Sequence, residues 1–307
     1  MKSRLKVILA KIEATYGADP APTGAANAIL VSNPTLSPME SDKVDRNLDR
    51  AYLGGDIQFV VGEHVMMEFN VELAGAGAAG TVPAYGPLLR ACGLAETQNV
   101  GTSVEYDPVS AGEESATLYW NQDGHNHAMN GARGSVSLQL DPKGLPYLNF
   151  KLTGLYVDPA AVELPTADYT AFQAPKPVSN ANTPTFSLHG YAAVVSAFSF
   201  NQGNSVNHHD LINEAQVDIT DRKANGSITI DSPALGTKDY FAIAKASTTG
   251  ALQWVHGTAA GHIAQFDAPA VQVLDPSYGD RDGTVTLEMG LNFTPSSGDD
   301  EFKLTVK

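Results

Sequence analysis

Apolar and polar residues alternate along most of this chain, and the alternation comes in two similar rounds. Val65, Met67, Phe69, Val71 and Leu73 fall on one side of a two-residue period, while Glu68, Asn70 and Glu72 fall on the other. The same period runs through Val136, Leu138 and Leu140, through Leu148, Phe150 and Leu152, through Val285, Leu287, Met289 and Leu291, and through Phe302, Leu304 and Val306. A period of two puts successive side chains on opposite faces of a strand. One buried and one wet face per strand is the pattern of antiparallel sheets covered on a single side. The chain is therefore expected to be mainly β.

The two rounds read as a duplication. Trp120 precedes Gly124, His127, Val136 and Leu140-Asp141-Pro142, and Trp254 precedes Gly257, His262, Val271 and Leu274-Asp275-Pro276, with 21 positions from Trp to Asp in both. Leu148 to Tyr156 matches Val285 to Phe293, Ser32 to Leu36 matches Ser196 to Phe200, and Leu73 matches Leu235. One short helix is expected in each round. The first starts near Pro83 and carries Tyr85, Leu88, Leu89, Ala91 and Cys92 to a stop at Gly93; the second lies within Lys238 to Ala246. The Pro-, Ala- and Thr-rich stretch Leu164 to Thr185 has no sustained period and reads as a linker. The expected organisation is a first β-domain over 1–164, including an N-terminal arm over 1–28, a linker over 165–185 and a second β-domain over 186–307. At 307 residues, each domain is long enough for its own core.

Charge and cysteine content narrow the function classes. A net charge of -15 opposes wrapping by nucleic acid, because the surface repels phosphate. Cys92 is the only cysteine, so no intrachain disulfide is possible and a reducing compartment fits. The apolar run Val7 to Ala10 is too short for a secretion signal, and Leu73 to Leu89 is broken by glycines and by Pro83 and Pro87, so no membrane span is expected.

Catalytic chemistry has little to stand on. The chain carries no nucleophile elbow, no Walker loop and no dinucleotide fingerprint. Gly75 to Gly80 lacks the Lys-Ser/Thr pair of a phosphate loop and reads as a small-residue hinge into the helix. His125 and His127 would share one strand face, a possible start of a metal site, but no further ligand motif accompanies them. Neither a cofactor nor a metal is expected. Glu68 and Glu72, two steps either side of Asn70, are what polar-face alternation produces in any case. Two long polar connections stand out instead: Ser37 to Leu53, with Glu40, Asp42, Lys43, Asp45, Arg46, Asp49 and Arg50, and Asn201 to Ala215, with His208, His209, Asp210 and Glu214. Connections of this length inside compact domains tend to be functional or mobile.

The segments Ala10 to Thr23, continuing to Asn27-Ala28-Ile29, and Pro83 to Gly93 resemble the major tail tube proteins of long, non-contractile-tailed bacteriophages. The match is most specific over about the first hundred residues; the second half joins it through the repeat. The resemblance implies two tandem tail-tube-type β-sandwich domains, each with a flanking short α-helix. It implies rings whose inner strands form one barrel, stacked into a tube for DNA ejection. Single-domain members form hexamers, so a doubled chain is expected to build a pseudo-six-fold ring from three copies. The expected partners are the chain itself and the tape measure, distal tail and tail terminator proteins, in the virion tail and, during assembly, the host cytoplasm. On this reading the charged residues of the two long connections are candidates for contacts between stacked rings, and so is the N-terminal arm. Glu68, Glu72 and Glu288 are candidates for the lumen face, past which DNA moves without specific binding. A tandem carbohydrate-binding or adhesin-like module is the rival reading, and it requires exposed aromatic platforms that the core-phase aromatics do not supply.

Overall fold

The structure, a computed structural model, describes residues 2–307. Strand accounts for 53% of the chain and helix for 5%. The first half holds β1 (Lys6–Ile12), α1 (Gly24–Asn27), β2 (Ala28–Ile29), β3 (Ser32–Asp45), β4 (Gln58–Glu72), α2 (Gly86–Ala91), β5 (Leu94–Asn99), β6 (Ser103–Pro108), β7 (Ala116–Gln122), β8 (His125–Leu140), β9 (Tyr147–Tyr156) and β10 (Ala160–Ala161). The second holds β11 (Thr185–Leu188), β12 (Tyr191–Ala192), β13 (Val195–Asn201), β14 (Asn204–Leu211), β15 (Glu214–Arg222), β16 (Asn225–Asp231), α3 (Tyr240–Lys245), β17 (Thr249–His256), β18 (Ala264–Arg281), β19 (Thr284–Phe293) and β20 (Lys303–Val306).

Local chemistry accounts for the punctuation. Asp123-Gly124 and Asp282-Gly283 close the β7–β8 and β18–β19 hairpins with positive φ at both residues (37° and 101°; 52° and 82°), the turn whose twist suits a two-residue hairpin. α2 carries Pro87 in its first turn, and Gly93 follows it at φ 74°. α3 starts at Asp239, whose carboxylate accepts the Ala242 amide at 2.9 Å.

Both halves share a strand order. The first runs β3-β4-β9-β8-β7-β1-β2 and the second β13-β16-β19-β18-β17-β11-β12, every pairing antiparallel. β8 and β18 are long enough to turn a corner, so each belongs to two layers of a sandwich. The far end of β8 then pairs with β13, Ser137 to Leu140 opposite Asn201 to Phe198. The result is one eight-strand sheet, β3-β4-β9-β8-β13-β16-β19-β18. In the other layer β20 pairs with both β18 and β6, so the last strand of the chain ties the second half to the first. One apolar cluster runs between the layers through both halves. Phe266 stacks on Trp254 at 5.7 Å and on Phe302 at 5.8 Å, and Phe200 meets Phe266, Phe293 and Phe302 edge-on. Burying each such ring contributes about 1.5–3 kcal/mol.

The structure departs from the sequence reading in several places. The equal Trp-to-Asp spacing is a coincidence. Trp120 and Trp254 do correspond, opposite His127 and Phe266, but the β17–β18 connection is longer than the Asp123-Gly124 turn. His262 therefore sits in that connection, and Leu274-Asp275-Pro276 falls at a bulge inside β18, whereas Leu140-Asp141-Pro142 ends β8. Leu148 corresponds to Leu287, two residues beyond Val285, because Leu138 faces Leu148 and Tyr278 faces Leu287. Leu73 is fully buried while Leu235 is exposed, so those two are not equivalent. Ser32 to Leu36 and Ser196 to Phe200 do correspond, each beginning at a bulge in its pairing.

The remaining departures concern packing between segments. Residues 6–12 of the supposed arm are strand β1, laid along β7 with Ile8, Leu9 and Ala10 buried. The linker is pinned: Val178 exchanges backbone bonds with Lys143 and Gly144, and Asn182 accepts from Gly257. Gly75 to Gly80 is a backbone contact rather than a hinge, with the Gly77 amide 2.9 Å from the Gly261 carbonyl. A Cβ on Gly75 would lie 2.1 Å from that same oxygen.

Candidate assembly surfaces

The eight-strand sheet has one face on the core and one open to solvent. Glu68, Glu72 and Glu288 all lie on the open face, as their alternation with Phe69, Val71, Leu287 and Met289 requires. Glu68 faces Lys151 across β4 and β9, and Glu288 lies between Thr229 and Ser277. Between the halves this face hollows into an open concavity of about 710 Å³ that includes Asn149, Lys151, Ser137, Asn201 and Ser227.

A row of neutral polar residues crosses the whole sheet on that face. In strand order it runs Ser32, Asn70, Asn149, Ser137, Asn201, Asn225, Asn292, Gln272, each directly opposite the next. The Asn149 amide donates to Asn70 at 2.7 Å, and Asn292 donates to Gln272 at 3.4 Å. The alternation alone places each residue on the polar side. What aligns them is the register between distant strands, which no local pattern carries. Chemically the face offers amides, hydroxyls and scattered carboxylates, with Lys151 a lone cation in the concavity.

The two ends of the sheet are open. β3 pairs with β4 on one side, and among the described residues its other edge has no strand partner. Beyond Leu274, β18 pairs with β19 alone. Tyr278, on the core side of that end opposite the buried Leu287, is 61% exposed.

The long connections are β-hairpins. Glu40, Asp42, Lys43 and Asp45 lie on β3 itself, which pairs with β4 out to Asp45 opposite Gln58. Arg46, Asp49 and Arg50 lie in the tip beyond, where Arg50 forms an ion pair with Asp56. This first hairpin extends into solvent with Met39, Val44, Leu48, Tyr52, Leu53 and Phe59 exposed. His208, His209 and Asp210 lie on β14 and Glu214 on β15, and that second hairpin folds back across the first half. Val217 is fully buried there, its amide 2.6 Å from the Tyr16 hydroxyl, while Arg133 donates to Asp218 at 2.9 Å. The His208 ring stacks on His64 at 4.8 Å. His208 thus contacts the first half of its own chain, while Asp210 and Glu214 of the second hairpin and Glu40, Asp42, Lys43 and Asp45 of the first are exposed.

Sequence reasoning missed the residues that fasten this hairpin. Gln202, fully buried, donates to the Cys92 carbonyl at 2.7 Å and accepts from the Val136 amide, and Asn204 donates to the carbonyls of Cys92 and Gly134. Arg222, at the end of the hairpin, bonds Val109, Asp299 and Glu301, while Lys303 ties β20 to β6 by reaching Glu105 at 2.8 Å. The Lys303 ammonium holds the Glu105 carboxyl below its usual range. Their partners are up to 198 positions away, so nothing near them in sequence signals the role.

Burial first, then the neighbouring His64 ring, holds His208 below the ordinary 6.5; His209 adds to the effect, while Asp210 and Asp42 oppose it. With the folded value depressed, the unfolded chain binds more protons, so the contact is strongest above about pH 6.5 and weakens as pH falls through that value. The protection factors of the amides over Asn207 to Val217, the observed exchange divided into the intrinsic rate at each pH, should fall severalfold between about pH 7 and 5, and His208→Gln should abolish that pH step. An unchanged pH dependence in that variant would contradict the assignment.

His125 is exposed at the start of β8, and His127 faces Trp120, its pKa lowered by burial and then by His125. Among the described residues no group of three or more His, Cys, Asp or Glu is placed to hold a metal ion, and no helix is long and apolar enough to cross a membrane. Trp120 and Trp254 are both buried.

The family model described as phage tail tube protein matches residues 3–297. The chain belongs to that family. No curated protein matches it significantly. Membership makes the chain a structural protein of the phage tail, one that self-assembles alongside other tail proteins.

Proposed function

We propose that three copies close into a ring with pseudo-six-fold symmetry, that rings stack into the tail tube of a long, non-contractile tail, and that DNA is ejected through it. The observation that carries this is the eight-strand sheet. Inside one chain, the end of β8 pairs with β13 of the other half. The free end of β18 stands where β8 stands, and the free edge of β3 stands where β13 stands. Repeating the internal pairing between copies sets Ser277 opposite Ser37, Tyr278 opposite Leu36, Gly279 opposite Thr35 and Asp280 opposite Pro34. A closed barrel removes both edges, which otherwise invite uncontrolled pairing. A heterologous contact of this kind closes by rotation. On this reading the two halves are duplicated domains, with 165–185 the strap between them.

The open face then lines the channel. Its amide and hydroxyl row gives the phosphate backbone no fixed counter-charge, and Glu68, Glu72 and Glu288 repel it, so DNA slides. The tube's ends meet tape measure, distal tail and tail terminator proteins, and assembly takes place in the host cytoplasm. Charged residues at the hairpin tip, Asp49 and Arg50, remain candidates for contacts between rings. Electron microscopy with mass measurement of the purified protein tests the ring. Rings at three times the 32.3 kDa chain mass, with six similar lobes, are expected. A strict monomer at millimolar concentration would overturn the proposal.

A further inference from the structure

We infer that the first hairpin is a clasp: in the ring it lies across the second half of the neighbouring copy, as the second hairpin lies across the first half of its own chain. The inference rests on the ring reading and adds a contact that strand pairing does not require. It starts from the register of the two hairpins. His208 faces Val217 and Val206 faces Ile219 on the second; Val44 faces Phe59 and Asp42 faces Val61 at the corresponding places on the first. On the second hairpin this face is covered, with Val217 fully buried and the Ile219 Cδ1 3.1 Å from the position of a Cβ on Gly93. On the first, Val44 is 50% exposed, Phe59 51% and Val61 40%. Two hairpins at equivalent places therefore differ in one respect. One has a sandwich to lie on, and the other presents the same face, with Val44, Phe59 and Val61, to solvent.

The internal contact also says where the clasp lands. Gly93, just past α2 at φ 74°, corresponds to Ser247, just past α3 at φ 52°. Carrying the β4–β9 register over to β16–β19 brings His64 to Lys223 and Gly62 to Asp221. Val44 would then lie over Lys223, covering its aliphatic stem. Arg46 would stand beside Asp221 as Asp210 stands 3.9 Å from the Gly62 Cβ position, an opposite-charge pair. Lys223 and Asp221 are both exposed in the single chain, at 83% and 49% of their side chains. Because the tip of the second hairpin reaches the base of the first at His64, clasps and hairpins would alternate in an unbroken belt around the ring.

Cysteine cross-linking separates the clasp from the ring. Cys92 is fully buried and its thiol pKa is pushed up, so it stays silent. One variant carries Val44→Cys with Lys223→Cys; a second carries Ser37→Cys with Ser277→Cys and reports ring closure alone. Ser37, Val44 and Ser277 are on strands and at least partly exposed, and Lys223 is exposed in the connection before β16. Isolated rings treated with a short bis-maleimide should give covalent dimers and trimers in both variants. Closure cross-links without clasp cross-links in isolated rings would overturn the clasp and leave the ring standing. Clasp cross-links formed only in stacked tubes would overturn it too, assigning the hairpin to the next ring. Absence of both would overturn both readings.

Discussion

Tyr278→Lys should yield a folded protein that forms rings only at about 10- to 100-fold higher concentration than the parent. In the single chain Tyr278 is 61% exposed, although it lies on the core side of β18. Its counterpart in the internal junction, Leu138, faces Phe200 and is buried. Closure would place Tyr278 against Leu36 and remove it from water, worth about 1.5–3 kcal/mol per junction, or roughly one to two powers of ten in its equilibrium constant. A lysine there forfeits that burial. Adding Leu36→Glu places an opposite charge directly across the strands, and such a pair stabilises by up to about 1 kcal/mol. The double variant should therefore recover part of the lost assembly. Circular dichroism melting should stay within a few degrees for Tyr278→Lys, since its ring contact in the chain is with Phe241 at 5.2 Å and little else covers it. Assembly of Tyr278→Lys at the parent's concentration, measured by sedimentation, would exclude this edge from the junction.

How much of this was legible in the sequence depends on the range over which each interaction acts. Val65, Met67, Phe69 and Val71 are buried as their alternation required, because a strand's period is set residue by residue. The helix at Gly86–Ala91 falls where proline, glycine and the apolar stripe placed it, and the helix at Tyr240–Lys245 falls within the matching stretch Lys238 to Ala246. Register is different. The repeat was aligned on equal spacing from Trp to Asp, but strands correspond through the partners they face, and one longer connection shifts everything behind it. Hence His262 and Leu274-Asp275-Pro276 lost their assigned counterparts while Ser196 to Phe200, at the start of a strand that follows no altered connection, kept its own.

The assembly surfaces divide the same way. Glu68, Glu72 and Glu288 could be put on a polar face by period alone. The amide row from Asn70 to Gln272 could not, since it exists only once six distant strand pairings are fixed. The two charged connections looked alike as sequence, both long and polar. Their different fates come from Gln202 and Asn204, whose side chains turn the second hairpin down onto Cys92 and Gly134. The first hairpin has Pro38 and Glu40 at the corresponding positions and runs straight on.

Glu13→Ala should lower stability by about 3–5 kcal/mol and the melting temperature by roughly 10 °C. Glu13 lies in the segment that carries the family resemblance, yet its role is visible only in three dimensions. It is 7% exposed, and its carboxylate accepts from the Ser115 hydroxyl at 2.6 Å, the Thr117 hydroxyl at 2.6 Å, the Gly17 amide at 2.7 Å and the Gly131 amide at 2.7 Å. Those four donors come from the turn after β1, from β7 and its approach, and from the bulge where β8 turns its corner. Gly131 takes φ 60° at that bulge, and a Cβ there would sit 2.7 Å from the Tyr16 ring, so the corner has one backbone path. Removing the carboxylate leaves the buried Gly131 amide and the half-buried Gly17 amide without acceptors, at about 1–3 kcal/mol for the buried one, beyond the loss of two charge-assisted hydroxyl bonds. Glu13→Gln keeps the shape but turns an NH2 toward donors, and should cost about half as much. The damage should spread to assembly, because the same corner aims Ser137 to Leu140 at β13 and so sets the internal junction on which ring closure is patterned. Glu13→Ala should therefore give fewer rings even well below its melting temperature, with faster amide exchange along the far end of β8. A melting temperature within 2 °C of the parent would show that the four bonds contribute nothing net.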